Sequence, residues 1–286
     1  MVMKYITRFF CFSGFILALA ACGNLEKEIT LDLPPYESKL VVECYLEAGQ
    51  PYTALLTKSA AYFDPFTFES AEEFLQILEN DAEVVIRHKG EEIKLQNDLN
   101  INPTTAKIFN YYSTELVPAD YENDFELEIT TKDGRHVTAT TRLLPKVPID
   151  SVVVEFDAKN DTLARTLVYF QDDPNTTDYY RRMIHVGSVL NDPEFYFQTG
   201  DDFVDDGTVV FGSAFDYAVG DTVINTIFHI DHDYYLFLES IEGAVDANGN
   251  PFAQPGVILS NLEGDENALG IFTGFSFDRV VTIIQK

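Results

Sequence analysis

The positions of apolar residues along the chain predict a protein built mostly of β-strands. Leu40 to Leu46 and Tyr52 to Thr57 are apolar runs of strand length that are bounded by polar residues. Phe125, Leu127 and Ile129 alternate with polar residues, as in a strand that buries one face. This pattern recurs along the sequence and indicates an all-β fold.

Two β-hairpins are predicted from the residues between such runs. Lys89-Gly90 separates Val84–Ile86 from the apolar positions Ile93 and Leu95. Asp133-Gly134 separates the alternating run at Phe125–Ile129 from a second run that begins at Val137. We expect a two-residue turn at Asp133-Gly134, with positive φ at both residues.

Two segments have helical spacing and predict short helices. Ser70 and Glu73 form a capping box, and the apolar positions after it predict a helix that ends near Asn80. The second helix is predicted from about Asp233 to Val245, with Asp231 or Asp233 as its N-cap. The apolar positions of the two helices are Phe74, Ile77 and Leu78, and Tyr234, Leu238, Ile241 and Val245.

A domain boundary is predicted near Pro145 and Pro148, because two prolines in four residues disfavour both a helix and a central strand. Residues 37–144 have the length and strand spacing of an immunoglobulin-like β-sandwich. Residues 149–286 are predicted to form a second β-rich domain. The fold class is therefore all-β with one or two short helices.

The N-terminus has the three parts of a bacterial secretion signal. Lys4 and Arg8 precede an apolar run from Phe9 to Ala20, which is too short to span a membrane. The run ends in Leu19-Ala20-Ala21-Cys22, the pattern of a lipoprotein cleavage site. We therefore expect residues 1–21 to be a signal peptide, Cys22 to carry the lipid, and residues 22–36 to be a tether. Gly23 follows the cysteine in place of aspartate, which favours the outer membrane, on either its periplasmic or its cell-surface face.

The net charge of −28 excludes nucleic acid as a partner, because phosphate binding needs a basic surface. The 17 Asp and Glu residues between Arg182 and Arg279 have no Lys or Arg among them. Such a segment is solvated, binds divalent cations or faces a basic partner. A calcium site is predicted at the densest acidic loop, which contains Asp201, Asp202, Asp205 and Asp206. No other cofactor is expected.

Aromatic residues in a loop provide the candidate ligand-binding set. Tyr62, Phe63, Phe66 and Phe68 surround Pro65, which interrupts any strand there, and loop aromatics of this kind stack on ligands or anchor partners. His229 and His232 are the only closely spaced histidines of the chain. Two readings of that pair stay open, a transition-metal site and solvated residues before the second helix. Cys44 lies within a strand-like run and is expected to be a buried structural thiol.

Several short motifs occur in a recognisable order. Leu31-Asp32-Leu33 and Lys39 to Glu43 follow the cleavage site; Pro148 to Ser151, Tyr179-Tyr180-Arg181, Asn250-Pro251-Phe252, Ser260-Asn261 and Gly270-Ile271-Phe272 come later. In the order and spacing of these motifs, the chain resembles the DUF4249 lipoproteins of the Bacteroidetes over nearly its whole mature length. The resemblance implies an envelope lipoprotein, often encoded beside a TonB-dependent outer-membrane receptor, and implies no catalytic residues.

The resemblance implies a role in a TonB-dependent uptake system, and we expect a non-enzymatic binding or accessory protein. Neither a Gly-x-Ser-x-Gly nor a His-Glu-x-x-His motif is present. Two alternatives remain open at this point. One is an envelope hydrolase that acts on glycan or peptide through carboxylates, and the other is a structural or adhesion protein of the cell surface.

Overall fold

A computed structural model gives the fold and describes residues 37–59, 71–102, 106–202, 207–247, 256–265 and 267–286. The strands and helices found there lie in one compact unit, Ser38–Lys286. The first elements are β1 (Leu40–Leu46), β2 (Pro51–Lys58), α1 (Ala71–Ile77), β3 (Ala82–His88), β4 (Glu91–Ile101), β5 (Ile108–Leu116), β6 (Phe125–Thr131) and β7 (His136–Thr141). The later strands are β8 (Ile149–Phe156), β9 (Leu163–Gln171), β10 (Tyr179–Val186), β11 (Phe195–Gly200), β12 (Thr208–Gly212), β13 (Tyr217–Ala218), β14 (Thr222–Ile230) and β15 (Leu269–Ile283). The helix α2 (His232–Ala247) lies between β14 and β15, and the all-β prediction with short helices is confirmed.

Eleven strands form one sheet in the order β11-β10-β14-β15-β1-β2-β5-β4-β3-β6-β7. The last strand, β15, lies between β14 and β1 in this sheet and pairs with both of them. Its residues Leu269–Gly274 run parallel to β1, and its residues Phe275–Ile283 run antiparallel to β14. The division into domains at 37–144 and 149–286 stays a prediction. The C-terminal strand nevertheless contributes Phe272 to the core of the first segment.

The first core lies inside a sheet that curls over on itself. Val42 of β1 and Leu127 of β6 belong to one buried cluster, although several strands separate β1 from β6 in the sheet. An isolated bridge between Thr138 and Glu263 adds a link near the β7 edge. Alternate residues of each strand point into this core, as the period of two requires. Cys44 is one of them and is fully buried, as its sequence context predicts.

The second core lies between the large sheet and a smaller one. β9 pairs with β8, β12 and β13 to form the smaller sheet. Two apolar clusters fill the space between the sheets. One contains Phe170, Tyr180, Phe211 and Ile227, and the other contains Ala164, Ile184, Tyr217 and Val223.

The two predicted hairpins and the second helix are present. Lys89 and Gly90 have φ of 52° and 83°, as a two-residue turn of this kind requires. The hairpin at Asp133-Gly134 is present, but both the length of its turn and the φ expected for Asp133 are wrong, since only Gly134 has positive φ. Thr131 N–H donates to Arg135 C=O, so the loop has three residues and a single left-handed position. Asp231 caps α2 as predicted, because its Oδ1 accepts from Tyr234 N–H at 2.7 Å.

Two of the motifs that carry the family resemblance contact each other at the β1–β15 junction. Ser260 Oγ donates to Gly270 C=O at 2.7 Å, and the Asn261 amide exchanges two hydrogen bonds with the backbone of Phe272. Gly270 has φ of +127°, and a Cβ there would lie 1.9 Å from the carbonyl oxygen of Val42. Ser260 and Asn261 therefore bind the backbone of β15, and Gly270 allows β15 to approach β1 closely.

Candidate functional site

The structure describes only part of the predicted site residues. Cys22, the four loop aromatics Tyr62, Phe63, Phe66 and Phe68, and the acidic residues Asp205 and Asp206 lie outside the described residues. Asp201 and Asp202 are described, and they directly follow the end of β11. The lipidation and loop-binding predictions stay predictions.

Asp201 belongs to a cluster of three carboxylates. Asp172, Asp178 and Asp201 each offer a carboxylate oxygen, and these oxygens all lie within 4.8 Å of one another. Each aspartate lies one residue beyond a strand end, after β9, before β10 and after β11 respectively. Asp202 is exposed and lies outside this group. The sequence therefore located one member of the cluster and missed the other two.

Neighbouring groups already satisfy part of this carboxylate cluster. Tyr180 O–H donates to Asp172, and the backbone N–H of Asp178 donates to Asp201 at 2.8 Å. His229 Nε2 lies 3.0 Å from Asp178 Oδ1, while its Nδ1 lies 2.9 Å from the carbonyl oxygen of Pro145. His229 is therefore buried among protein groups, and His232 is exposed. Among the described residues, His229 and His232 do not belong to a group of side chains that could hold a metal ion.

The charge of the cluster is poorly compensated. Burial raises the pKa of Asp172, the nearby charges of Asp201 and Asp178 raise it further, and the Tyr180 hydroxyl opposes the shift. Three carboxylate oxygens at this spacing suit a hard cation that prefers oxygen ligands, such as calcium. Asp172, Asp178 and Asp201 are the described residues that could hold one.

A second group of side chains lies on the face of the large sheet that points away from the smaller sheet. It is formed by the strands β10, β14, β15 and β1. Four aromatic rings there form a chain of contacts. Tyr45 and Phe275 have ring centroids 6.3 Å apart, Phe275 and Phe228 are 5.8 Å apart, and Phe228 and Phe277 are 5.4 Å apart. We name this set of side chains the aromatic–cationic face, and define it by Tyr45, Phe228, Phe275, Phe277, Arg181 and Arg279. All six are half-buried, and Tyr45, Phe228 and Phe275 pack against the apolar cluster that contains Tyr234 and Phe237 of α2.

Strand register places these residues on one face. Arg181 of β10 lies opposite Phe228 of β14, and Phe228 lies opposite Phe277 of β15. Directly paired residues of antiparallel strands point to the same side of a sheet, so the three side chains share a face. Arg279 is two residues further along β15 and therefore points to this side as well.

The two arginines of this face have no carboxylate partner. Arg181 Nη1 donates to the Tyr234 hydroxyl at 3.2 Å, and Arg279 Nε donates to Thr226 Oγ1 at 2.9 Å. The Arg279 guanidinium also lies 4.9 Å from the Phe277 ring centroid. Among the described residues, neither arginine has a carboxylate oxygen within 4.0 Å. By contrast, Arg87, Arg135, Arg142 and Arg165 all form ion pairs.

Several ionisable groups around this face have shifted pKa values. Burial lowers the pKa of Arg279 and raises the pKa of Glu47 and of Tyr45. Burial, followed by the charge of Arg279, lowers the pKa of His185. Burial is the first cause of each of these shifts, so they show that the charged groups of this face are partly desolvated. Sequence reasoning missed this face because its rings come from three strands that are far apart along the chain.

An open pocket of about 320 Å³ lies beside the start of α2, and Asp124, Thr141, Arg142, Asp231 and His232 are among its lining residues. Most of its polar groups already have partners. Arg142 forms an ion pair with Asp124, and Asp231 accepts from Thr141, Thr273 and Tyr234. The pocket lies where β7, β15 and α2 meet.

These observations describe an all-β protein with a carboxylate cluster and an aromatic–cationic face. A family model described as "Domain of unknown function (DUF4249)" matches residues 26–279, and the chain belongs to that family. No curated protein matches the sequence. Within the described residues, neither helix is long and apolar enough to cross a membrane.

Similarity to solved structures is weak. One chain, from a structure titled "Cytokine receptor complex - Crystal form 1A", is 10% identical with a TM-score of 0.27, and the match covers 85% of this chain and 95% of that one. Another, from "Cytokine receptor complex - Crystal form 2", is 11% identical with a TM-score of 0.25, covering 65% and 89%. Similarities at this level carry no argument about function.

Proposed function

We propose that the protein is an outer-membrane lipoprotein that serves as a non-enzymatic binding component of a TonB-dependent uptake system. The lipoprotein cleavage pattern ending at Cys22 supports the membrane anchor. The observation that carries the binding role is the aromatic–cationic face, where two arginines without carboxylate partners lie among contacting aromatic rings.

Aromatic residues and arginine are the residue types that contribute most to binding at the centres of protein interfaces. Among the described residues, neither Arg181 nor Arg279 has a carboxylate oxygen within 4.0 Å, in a chain that carries 47 Asp and Glu residues. The charge of Glu47 nevertheless acts on Arg279, where it opposes the effect of burial on the pKa. A partner that presents carboxylates beside apolar side chains would complement both parts of this surface. We therefore assign the face to the receptor contact.

A pull-down from outer membranes tests this proposal. Tagged full-length protein is isolated in mild detergent, and the chains that co-purify are identified by mass spectrometry. The proposal expects a TonB-dependent receptor in near-equal amount. Recovery of the lipoprotein alone, with the receptor present in the starting membrane, would contradict a stable complex.

A pair of double variants tests the surface itself. Arg181→Met with Arg279→Met removes both unpaired charges, and we expect receptor recovery to fall at least tenfold. Arg87→Met with Arg165→Met removes two arginines that form ion pairs elsewhere, and we expect recovery to stay at the wild-type level. Thermal unfolding of all variants checks that the fold is retained. Equal losses in both pairs would contradict the assignment of this face.

A further inference from the structure

Arg182 is a fully buried arginine without a counter-ion. It lies on β10 between Tyr180 and Ile184, which belong to the two separate apolar clusters of the second core. Its exposure is 0%, and among the described residues no carboxylate oxygen lies within 4.0 Å of it. Burial lowers the pKa of Arg182 to about 10, so the guanidinium still carries its charge at neutral pH. A buried cation of this kind is strongly destabilising unless a negative charge or hydrogen-bond acceptors compensate it.

The hydrogen bonds of Arg182 leave several donors unused. Its Nη2 donates to Asn225 Oδ1 at 2.7 Å, to Thr166 Oγ1 at 3.2 Å and to Thr166 C=O at 3.5 Å. Both partners are neutral and fully buried. Arg182 Nε and Nη1 are buried and have no acceptor among the described residues. The same is true of Asn225 Nδ2.

Covalent geometry places these unused donors close together. Nη1 shares its carbon with Nη2, and Nδ2 shares its carbon with Oδ1. Because Nη2 and Oδ1 are hydrogen-bonded at 2.7 Å, Nη1 and Nδ2 are each separated from that hydrogen bond by a single carbon atom. The orientation of the Asn225 amide agrees with its hydrogen bonds, since its oxygen Oδ1 accepts from both Arg182 and Thr166 Oγ1.

We propose that Arg182 and Asn225 form a buried site for a small monovalent anion of the size of chloride. The anion would accept hydrogen bonds from the unused guanidinium and amide donors and neutralise the buried charge. A water molecule could accept hydrogen bonds there but would bring no charge. The site is separate from the aromatic–cationic face, because adjacent residues of a strand point to opposite sides of the sheet.

Thermal unfolding of the full-length protein in detergent tests the site. The melting temperature is measured at one pH and one ionic strength while sodium gluconate is replaced stepwise by sodium chloride or sodium bromide. A ligand that binds only the folded state raises the melting temperature by roughly 3–5 °C for each tenfold increase above its dissociation constant. We expect that increase for both halides in the wild type, and its loss in Arg182→Met.

The control is Arg87→Met, which removes a surface arginine and should keep the halide response. If Arg182→Met does not fold, bromide binding to the wild type decides. A crystal soaked in bromide should then show an anomalous peak within hydrogen-bonding distance of Arg182 Nη1 and Asn225 Nδ2. A wild-type melting temperature that is independent of halide, or a soaked crystal without that peak, would overturn the proposal.

Discussion

The side-chain amide of Asn110 forms hydrogen bonds with both backbone polar groups of Leu56. Asn110 Oδ1 accepts from Leu56 N–H at 2.8 Å, and Asn110 Nδ2 donates to Leu56 C=O at 3.0 Å. The same nitrogen also donates to Glu79 C=O at 2.9 Å. Asn110 is fully buried, so these hydrogen bonds join β2, β5 and the segment after α1 inside the protein.

Replacement of Asn110 by leucine should destabilise the protein by about 2–4 kcal/mol, because it leaves Leu56 N–H buried without an acceptor and removes two donors. Urea unfolding measures the change. Asn175→Ala, in an exposed turn, is the control and should stay within about 0.5 kcal/mol of the wild type. A leucine variant as stable as that control would show that these bonds contribute nothing.

Asp231 joins three elements through one carboxylate. Its Oδ1 caps α2, and its Oδ2 accepts from Thr141 Oγ1 of β7 and Thr273 Oγ1 of β15, both at 3.1 Å. Asp231→Ala removes the cap and leaves both hydroxyls without this acceptor. We expect a loss of about 2–3 kcal/mol.

Asp231→Asn keeps an oxygen for the cap and removes a charge whose burial raises the pKa of the carboxyl. We expect it to lose less than half as much stability as the alanine variant. Asn is as good an N-cap as Asp, but its Nδ2 donates where Oδ2 accepted, so the comparison isolates the cap from the charge and the two threonine contacts. Equal losses in the two variants would show that the charge and the threonine contacts, and not the cap, stabilise this junction.

The buried imidazole of His185 should make stability depend on pH. Burial and the charge of Arg279 hold the pKa of His185 below its ordinary value of 6.5. Below pH 6.5 the unfolded chain therefore binds a proton that the folded chain does not, and stability falls as the pH decreases. One such group changes the free energy of unfolding by at most about 1.4 kcal/mol per pH unit.

His185→Gln removes this group. We expect the stability difference between variant and wild type to shift in favour of the variant as the pH falls from 7.5 to 5.5. Urea unfolding at several pH values in that range measures it. A difference that stays constant with pH would mean that His185 takes up its proton equally well in the folded and unfolded chains.

The local features of the fold could be predicted from sequence, and the sites mostly could not. Alternation at Phe125–Ile129 and helical spacing after Asp231 report on neighbouring residues, so they predict β6 and α2 directly. The contact between Tyr45 and Phe275 depends on the pairing of the first strand with the last, which no local pattern contains. The turn at Asp133 shows the same limit on a small scale. An Asp-Gly pair predicts a hairpin, but the number of loop residues depends on the strand register.

The carboxylate cluster shows the same difference between what a local sequence pattern predicts and what depends on contacts between distant strands. The acidic loop predicted Asp201, whereas Asp172 and Asp178 are distant in sequence and join it only because β9, β10 and β11 end together. Each is an ordinary aspartate beside a strand end, a position where solvated acids are common. These three positions meet because the smaller sheet, which contains β9, packs against the large sheet, which contains β10 and β11.

The calcium prediction can now be tested on Asp172, Asp178 and Asp201. Without a cation, Asp172 is buried beside two like charges, so Asp172→Asn should raise the melting temperature in EDTA while keeping an acceptor for the Tyr180 hydroxyl. With a calcium ion bound, the carboxylate would stabilise the fold and the sign should reverse. We therefore expect millimolar calcium to raise the melting temperature of the wild type above that of Asp172→Asn. The melting temperature of the double variant Asp178→Asn with Asp201→Asn should not change with calcium.

The control is the double variant Asp192→Asn with Asp216→Asn, which removes two acids outside the cluster and should respond to calcium like the wild type. If calcium moves none of these proteins, the cluster is a group of solvated and hydrogen-bonded carboxylates, and the sequence-based prediction is wrong.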